Sequence, residues 1–289
     1  MRMGKRFLSS VFGSAAAAML GALPAEVCVA TISSVPRPID ASLRQDAQPL
    51  LERDPVRAAR LQARGVQLVE QGKFEQALEQ FRRAAGLDPD NSATLINMAY
   101  CLDKLGRYGE AITELQRAKK LDPDNATIYL NWGNSLLNLK KYEEAIEPLQ
   151  KSSDLAPNSP LVHMNLAAVF TNLGRNKEAG AELERAAALD SKNPAVFFSW
   201  AVVLSAQSNA AEAVEKYERV IELDPKNLPA YFNCAALLER MGNLEGAIEK
   251  IRSALAVDPN NTTLKDILGK LAQARGQQPP AASAPPRRQ

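Results

Sequence analysis

The chain has 289 residues, of which 46% are hydrophobic, 24% are charged and only 6% are aromatic, a composition that is ordinary for a soluble globular protein. Alanine and other good helix formers are abundant and β-branched residues are sparse, which favours helices over a β-sandwich. The formal net charge is +2, and the sequence shows no basic stripe of the kind that nucleic-acid-binding proteins carry, so we expect no nucleic-acid partner.

Residues 1–30 have the order of a secretory signal peptide. Three basic residues lie within the first six positions, residues 7–23 are apolar and uncharged, and residues 28–30 supply a small-residue cleavage position. This order predicts export to the periplasm or an equivalent lumen or envelope. The apolar run of about 17 residues is also at the lower limit for a membrane span, so an uncleaved anchor is the alternative, and we expect membrane contact only in that case.

A linker and then an internal repeat follow this segment. Residues 31–57 hold four prolines and predict a linker. From residue 58 the sequence repeats every 34 residues without insertion or deletion, and four of the six units carry Asp-Pro just before their last two residues. Regular self-similarity at such a period indicates a repeat architecture, which has to be recognised before any other fold is considered. The six units are residues 58–91, 92–125, 126–159, 160–193, 194–227 and 228–261.

Each unit predicts two helices that pack against each other. The first helix has a large residue at its fourth place and a small residue at its eighth, and the second helix has alanine at the twentieth place of every unit. Large and small residues at helical spacing form one packing face. The proline disfavours helical geometry at the residue before it, and the asparagine that ends most units is a good N-cap for the next helix.

This pattern resembles the tetratricopeptide repeat family over all six units. The resemblance implies an all-α, right-handed superhelical solenoid of six helix-turn-helix repeats. Residues 262–276 continue a helical apolar spacing and predict the polar-faced capping helix that repeat arrays require, whereas residues 277–289 form a Pro/Ala-rich tail that we expect to be disordered. Departures from the family pattern concentrate in the fourth and fifth units, and we expect the least stable interface there.

No catalytic or metal-binding constellation is visible. His163 is the only histidine and occupies a buried large-residue place, so a core role is favoured over a ligand role. Cys101 and Cys234 lie in different repeats, too far apart for a disulfide, and are expected to be buried free thiols. The sequence therefore predicts no cofactor, no metal and no enzymatic activity.

Asparagines mark the surface where the family binds its ligands. The resemblance implies that the second, fifth, sixth, ninth, twelfth and thirteenth places of each unit line a concave groove. Asparagine in mid-helix costs about 0.5–0.7 kcal/mol relative to alanine, but its amide offers both a donor and an acceptor to a peptide unit of an extended ligand. Helices about 8–10 Å apart would then meet roughly every third ligand residue. The sixth places hold Asn97, Asn131, Asn165 and Asn233, and Asn134 falls in the same groove.

Apolar residues accompany these amides at the fifth place of the units. They form an apolar strip if they are exposed and are only core if neighbouring helices cover them. They are Ile96, Leu130, Met164, Phe198 and Phe232. The groove lacks the lysines and arginines of the co-chaperone type of groove, which clamps a ligand carboxylate.

The predicted function is that of a scaffold that binds an extended segment of a partner protein. Three alternatives stay open, one for the groove and two for the whole chain. The asparagines can be copies left by duplication that merely face water. The chain can also be a membrane-anchored assembly factor that works through its convex face or tail, or an accessory subunit of an enzyme.

Overall fold

The computed structural model describes residues 53–277, so the predicted signal peptide, most of the linker and nearly all of the tail lie outside the described residues. Within this range the chain forms thirteen helices and no strands, and the predicted all-α repeat fold is confirmed. The helices are α1 (Pro55–Glu70), α2 (Phe74–Leu87), α3 (Ser92–Lys104), α4 (Tyr108–Leu121), α5 (Ala126–Asn138), α6 (Tyr142–Leu155), α7 (Pro160–Asn172), α8 (Asn176–Leu189), α9 (Pro194–Ala206), α10 (Ala210–Leu223), α11 (Leu228–Arg240), α12 (Leu244–Val257) and α13 (Thr262–Gly276).

The asparagine at the end of a repeat begins the next helix. Asn91 Oδ1 accepts a hydrogen bond from the backbone N–H of Thr94 at 3.1 Å, and Asn261 caps α13 in the same way through Leu264. Asn91 also donates from Nδ2 to Asp88 of the Leu-Asp-Pro turn at 3.3 Å. Such caps satisfy backbone donors that have no partner within the helix. The recurring spacing of the turn therefore places the N-cap of the next first helix, although Ser159, at this place before α7, makes no side-chain cap hydrogen bond.

The turn inside each hairpin needs a residue with positive φ. Glycine supplies it in four repeats, with φ between 71° and 82°. In the third and fifth repeats the same place is held by Lys140 at φ 59° and Ser208 at φ 63°. Side chains other than glycine visit this region rarely, so these two turns keep the hairpin geometry against their local preference.

Small residues let the two helices of a hairpin approach each other closely. A Cβ atom on Gly133 would lie 2.4 Å from Leu149 Cγ, and one on Gly65 would lie 2.5 Å from a ring carbon of Phe81. Both Leu149 and Phe81 are fully buried. The glycines therefore make room for the large residue of the second helix.

The chain divides after Leu189 into two compact units. The N-terminal unit contains α1–α8 and the C-terminal unit contains α9–α13 within the described residues. In the N-terminal unit α3 packs against α5 and α5 against α7, in addition to the packing within hairpins. We call the surface of α3, α5 and α7 the inner face of this unit, because neighbouring first helices approach each other there.

The two ends of the described array refine the predicted boundaries. Helix α1 begins at Pro55 with Asp54 as its N-cap, so residues 55–57 are helical and do not belong to the linker. Helix α13 spans Thr262–Gly276 and buries Leu264, Ile267 and Leu271. Gln277, which the sequence places in the tail, is the C-cap of α13. None of the helices between residues 53 and 277 is long and apolar enough to cross a membrane.

Candidate functional site

Three asparagines of the N-terminal unit lie in the middle of successive first helices. Asn97 is on α3, Asn131 on α5 and Asn165 on α7, with exposed fractions of 8%, 2% and 8%. All three occupy the sixth place of their repeats, so the 34-residue period brings them to equivalent positions. We call these three residues the amide row.

The amide row is buried without hydrogen-bond partners. Both polar atoms of Asn131 and the amide nitrogens of Asn97 and Asn165 are shielded from solvent and have no partner among the described residues. More than nine-tenths of buried polar groups in proteins are hydrogen-bonded, and each one left unpaired costs about 1–3 kcal/mol. The unpaired amide atoms at this repeated position therefore lower the stability of the chain when no ligand is bound.

A buried carboxylate adjoins the amide row. Asp103, at the end of α3, is 8% exposed, and its Oδ1 lies 2.7 Å from the hydroxyl of Ser135 on α5. The same hydroxyl lies 3.0 Å from the backbone carbonyl of Asn131. Asn134 is 4% exposed and lies on the same helix, one residue from Ser135. Burial raises the pKa of Asp103 to about 6, against the Ser135 hydrogen bond and the charge of Lys104, which lower it.

Sequence reasoning did not single out Asp103. Its twelfth place was among the groove places, and it is the only aspartate there, but burial could not be read from one repeat. In the C-terminal unit Glu239 holds the same place, is 6% exposed and has Oε1 without a hydrogen-bond partner among the described residues. Burial raises the pKa of Glu239 as well.

The sixth places of the C-terminal unit are satisfied internally. Ser199 donates its hydroxyl to the carbonyl of Ala195 at 2.9 Å. Asn233 is half-buried, and its side chain hydrogen-bonds the hydroxyl of Tyr217, which also bonds Ser205. Burial raises the pKa of Tyr217 to about 12, although these two hydrogen bonds lower it. Asn233 therefore differs from the three asparagines of the amide row in burial and in having a partner, and its role in peptide binding stays a prediction.

Of the two alternatives for the fifth places, burial favours core over an exposed apolar strip. Ile96, Leu130 and Phe232 are 5%, 5% and 2% exposed, so neighbouring helices cover them and they belong to the core. Met164 and Phe198 are half-buried, and the Phe198 ring meets the Tyr217 ring edge-on at 5.5 Å between centroids. The fifth places therefore contribute packing, and the polar residues distinguish the inner face.

The remaining polar candidates are structural. His163 is 5% exposed, and its Nδ1 lies 2.7 Å from Oε2 of Glu182, which also accepts from Arg185. Cys101 and Cys234 are buried free thiols, and burial raises the pKa of each to about 12. In residues 53–277 no group of histidine, cysteine and acidic side chains has the arrangement of a metal site.

Solved structures share this architecture at low sequence identity. The type IV pilus biogenesis factor PilW is 19% identical over 73% of this chain and 98% of its own, with a TM-score of 0.65. YrrB, described as a tetratricopeptide repeat protein with an unusual peptide-binding site, is 24% identical over 64% and 95%, with a TM-score of 0.54. The structure of the APC/C hetero-tetramer Cut9-Hcn1 matches at 21% identity with a TM-score of 0.61. The match covers 76% of this chain but only 43% of that one.

Comparison with family models agrees with the helical hairpins. No curated protein sequence matches the chain. The model described as tetratricopeptide repeat matches residues 68–130, 136–197 and 204–271, which together make up most of the chain. Proteins with this fold are generally protein-interaction scaffolds and typically lack enzymatic activity. The chain belongs to the tetratricopeptide repeat family.

Proposed function

We propose that the N-terminal unit binds an extended segment of a partner protein across α3, α5 and α7, with the amide row hydrogen-bonded to the main chain of that segment. The observation that carries this proposal is the unpaired burial of Asn97, Asn131 and Asn165. A peptide unit offers one donor and one acceptor, which match the side-chain amide. Binding would therefore pair amide atoms of all three asparagines and remove the loss of stability that their burial causes in the free chain.

The amides must turn to reach a ligand. Their unpaired atoms are shielded from solvent in the free chain, and the Cβ–Cγ torsion of asparagine has broad, shallow minima. Rotation about this bond brings the amide toward a ligand without moving the helix. Neighbouring helices are about 8–10 Å apart and an extended chain rises about 3.3 Å per residue, so each amide meets roughly every third residue. Recognition of this kind depends little on ligand sequence.

Two further considerations support a binding role. The fold is one that carries peptide sites, as the description of YrrB states for that protein. We also propose that the protein works in the cell envelope, on the signal-peptide order of residues 1–30. That location rests on sequence alone, since these residues lie outside the described range.

A peptide library tests the proposal on the full-length chain. Random peptides of about nine residues, capped at both ends, are long enough to reach three amides at roughly three residues each. We expect the chain to retain them. Replacement of all three amides, Asn97→Ala with Asn131→Ala and Asn165→Ala, should lower retention at least about tenfold, which corresponds to about 1.4 kcal/mol.

The matched control changes the satisfied sixth places of the C-terminal unit. A Ser199→Ala, Asn233→Ala chain loses similar groups from equivalent positions and should retain peptides as the parent does. Equal retention by the parent and the amide-row variant would show that the asparagines do not hold the ligand. Circular dichroism on each variant verifies that helix content is unchanged.

A second candidate is assembly through a surface away from the amide row. A cavity of about 740 Å³ lies between α4, α5 and α6. Trp132 and Tyr129 line it, and Lys119 Nζ lies 5.3 Å and 5.7 Å from the centroids of their rings. Aromatic side chains of this kind are enriched at protein interfaces. Loss of partner capture in a Trp132→Ala chain that still retains peptides would favour this surface.

A further inference from the structure

Asp103 lies beside the amide row, so its charge would act on a ligand held there. The Ser135 hydroxyl lies 2.7 Å from Asp103 Oδ1 and 3.0 Å from the carbonyl of Asn131. A serine hydroxyl has one proton and donates to one of these oxygens at a time. The carboxylate is thus one hydroxyl away from the main-chain carbonyl of Asn131, the most deeply buried member of the amide row.

The carboxylate forms no direct ion pair in the described part of the chain, although the charge of the neighbouring Lys104 lowers its pKa. No lysine, arginine or histidine between residues 53 and 277 forms an ion pair with Asp103 at 4.0 Å or less. The ion pairs of that region join other residues. Lys104 is the adjacent cation, but its Nζ lies over the Tyr100 ring, 5.5 Å from the centroid. Buried charges in proteins are normally paired.

We propose that Asp103 receives the cationic side chain of a lysine or arginine in the bound segment, so that the inner face selects segments with a basic residue. This inference rests on the proposed function and adds selectivity to it. The amide row reads only the main chain, whereas the carboxylate distinguishes one side chain from another. A charge-assisted hydrogen bond to a carboxylate is about twice as strong as a neutral one, and arginine can form two in parallel.

A purely structural role for Asp103 makes a different prediction. In that case the carboxylate only ties α3 to α5 through Ser135. Asp103→Asn keeps an oxygen that accepts from the hydroxyl and removes only the charge. A structural tie therefore survives this substitution, and a cation site does not.

The test uses the full-length chain and capped peptides of about nine residues in which one position is fixed as Arg, Lys, Gln or Glu and the others are random. At the preferred position we expect the parent to retain the Arg and Lys pools about tenfold better than the Gln pool, a difference of about 1.4 kcal/mol. The Asp103→Asn chain should retain all pools about equally, at the level of the Gln pool. Glu79→Gln removes the same charge from an exposed position on α2 and should keep the preference.

Each result decides one of the two proposals. Retention of all pools by the parent without preference for Arg or Lys overturns the role of Asp103 and leaves peptide binding intact. A preference that persists in the Asp103→Asn chain overturns it as well. Failure of the parent to retain any pool overturns the proposed function, and the inference with it.

Discussion

The two units of the chain use the same repeat in opposite ways. In the N-terminal unit the sixth places hold three buried asparagines with unpaired amide atoms. In the C-terminal unit Ser199 bonds its own helix and Asn233 bonds Tyr217. The sixth places of the first unit therefore carry amide atoms without a partner among the described residues, whereas the sixth places of the second unit have hydrogen-bond partners.

The hydroxyl of Tyr217 accounts for part of this difference, because it bonds the side chain of Asn233. The place of Tyr217 in its repeat is held by Phe81, Leu115, Leu149, Leu183 and Ile251 in the other five. None of these side chains has a polar atom. The fifth repeat thus supplies the hydrogen-bonding group that the others lack, and the comparison shows that an asparagine at a repeated position is a binding candidate only where the neighbouring repeat leaves it unpaired.

The largest expected effect concerns the buried acid of the N-terminal unit. The pKa of Asp103 is about 6 in the folded chain, against an ordinary value of 3.8. The folded state therefore favours the protonated acid, so protonation of Asp103 stabilises the folded chain at low pH. This stabilisation is lost as the pH rises through 6. Between about pH 4 and about pH 7 the parent should lose about 3 kcal/mol of stability relative to Asp103→Asn, since one pKa unit corresponds to about 1.4 kcal/mol.

Urea unfolding at several pH values measures this loss. The chain has two tryptophans, Trp132 on α5 and Trp200 on α9, so each unit has its own fluorophore. A Trp200→Phe background reports the N-terminal unit alone. If the difference in stability between the parent and Asp103→Asn is constant with pH, burial does not raise the pKa of Asp103. Burial also raises the pKa of Glu239. The parent should therefore lose stability relative to Glu239→Gln as the pH rises, which Trp200 fluorescence measures in a Trp132→Phe background.

A smaller effect is expected where helices cross in the N-terminal unit. Gly133→Ala places a methyl group 2.4 Å from Leu149 Cγ, and Leu149 is fully buried. Overpacking of a core costs about 1–3 kcal/mol, and the better helix propensity of alanine returns about 1 kcal/mol of it. We expect a net loss of about 1 kcal/mol in the free energy of unfolding, measured by urea unfolding followed by Trp132 fluorescence.

The C-terminal unit provides the control for this crossing. Ala201 holds the equivalent eighth place on α9 and is fully buried. Ala201→Gly should cost about 1 kcal/mol through helix propensity alone, read by Trp200. A Gly133→Ala chain as stable as the parent would mean that displacing Leu149 costs no more than the roughly 1 kcal/mol that helix propensity returns.

The repeat made most of the fold predictable from the sequence, and the site much less so. Helix starts at Asn91 and Asn261 follow from local capping chemistry, which depends only on residues close in the chain. The predicted linker of residues 31–57 includes Pro55, but α1 begins at this proline, which is well tolerated at the first helical position. Local rules thus predict the helices, and their ends only to within a few residues.

The site depended on contacts between repeats, which spacing does not show. The sixth places could be found from the period, but the difference between Asn131 and Asn233 comes from Tyr217 on another helix. Burial of Ile96 and Leu130 likewise depends on how closely neighbouring helices approach. The burial of Asp103 and its contact with Ser135 have the same origin. Residues of one repeat predict its helices, whereas the polar surface is decided by pairs of repeats.

Replacing one asparagine in each unit should change stability in opposite directions. Asn131→Ala removes two unpaired buried atoms and improves helix propensity, so we expect a gain of about 1–2 kcal/mol in the N-terminal unit. Asn233→Ala breaks the bond to Tyr217 and should cost about 1 kcal/mol in the C-terminal unit. Urea midpoints in the two single-tryptophan backgrounds measure both, and a loss of stability in Asn131→Ala would show that its amide is satisfied in solution.

The smallest expected effect comes from the Tyr217 hydroxyl, which accounts for part of the difference between the two units. Tyr217→Phe keeps the ring, which packs edge-on against Phe198, and removes the hydrogen bonds to Asn233 and Ser205. We expect a loss of at most about 1 kcal/mol, read by Trp200, because Ser205 still donates to the carbonyl of Ala201 at 2.7 Å. In this background Asn233 is unpaired, so Asn233→Ala should no longer destabilise the unit. If Asn233→Ala costs the same in both backgrounds, its stabilising partner is not Tyr217, and the contrast drawn between the units fails at this residue.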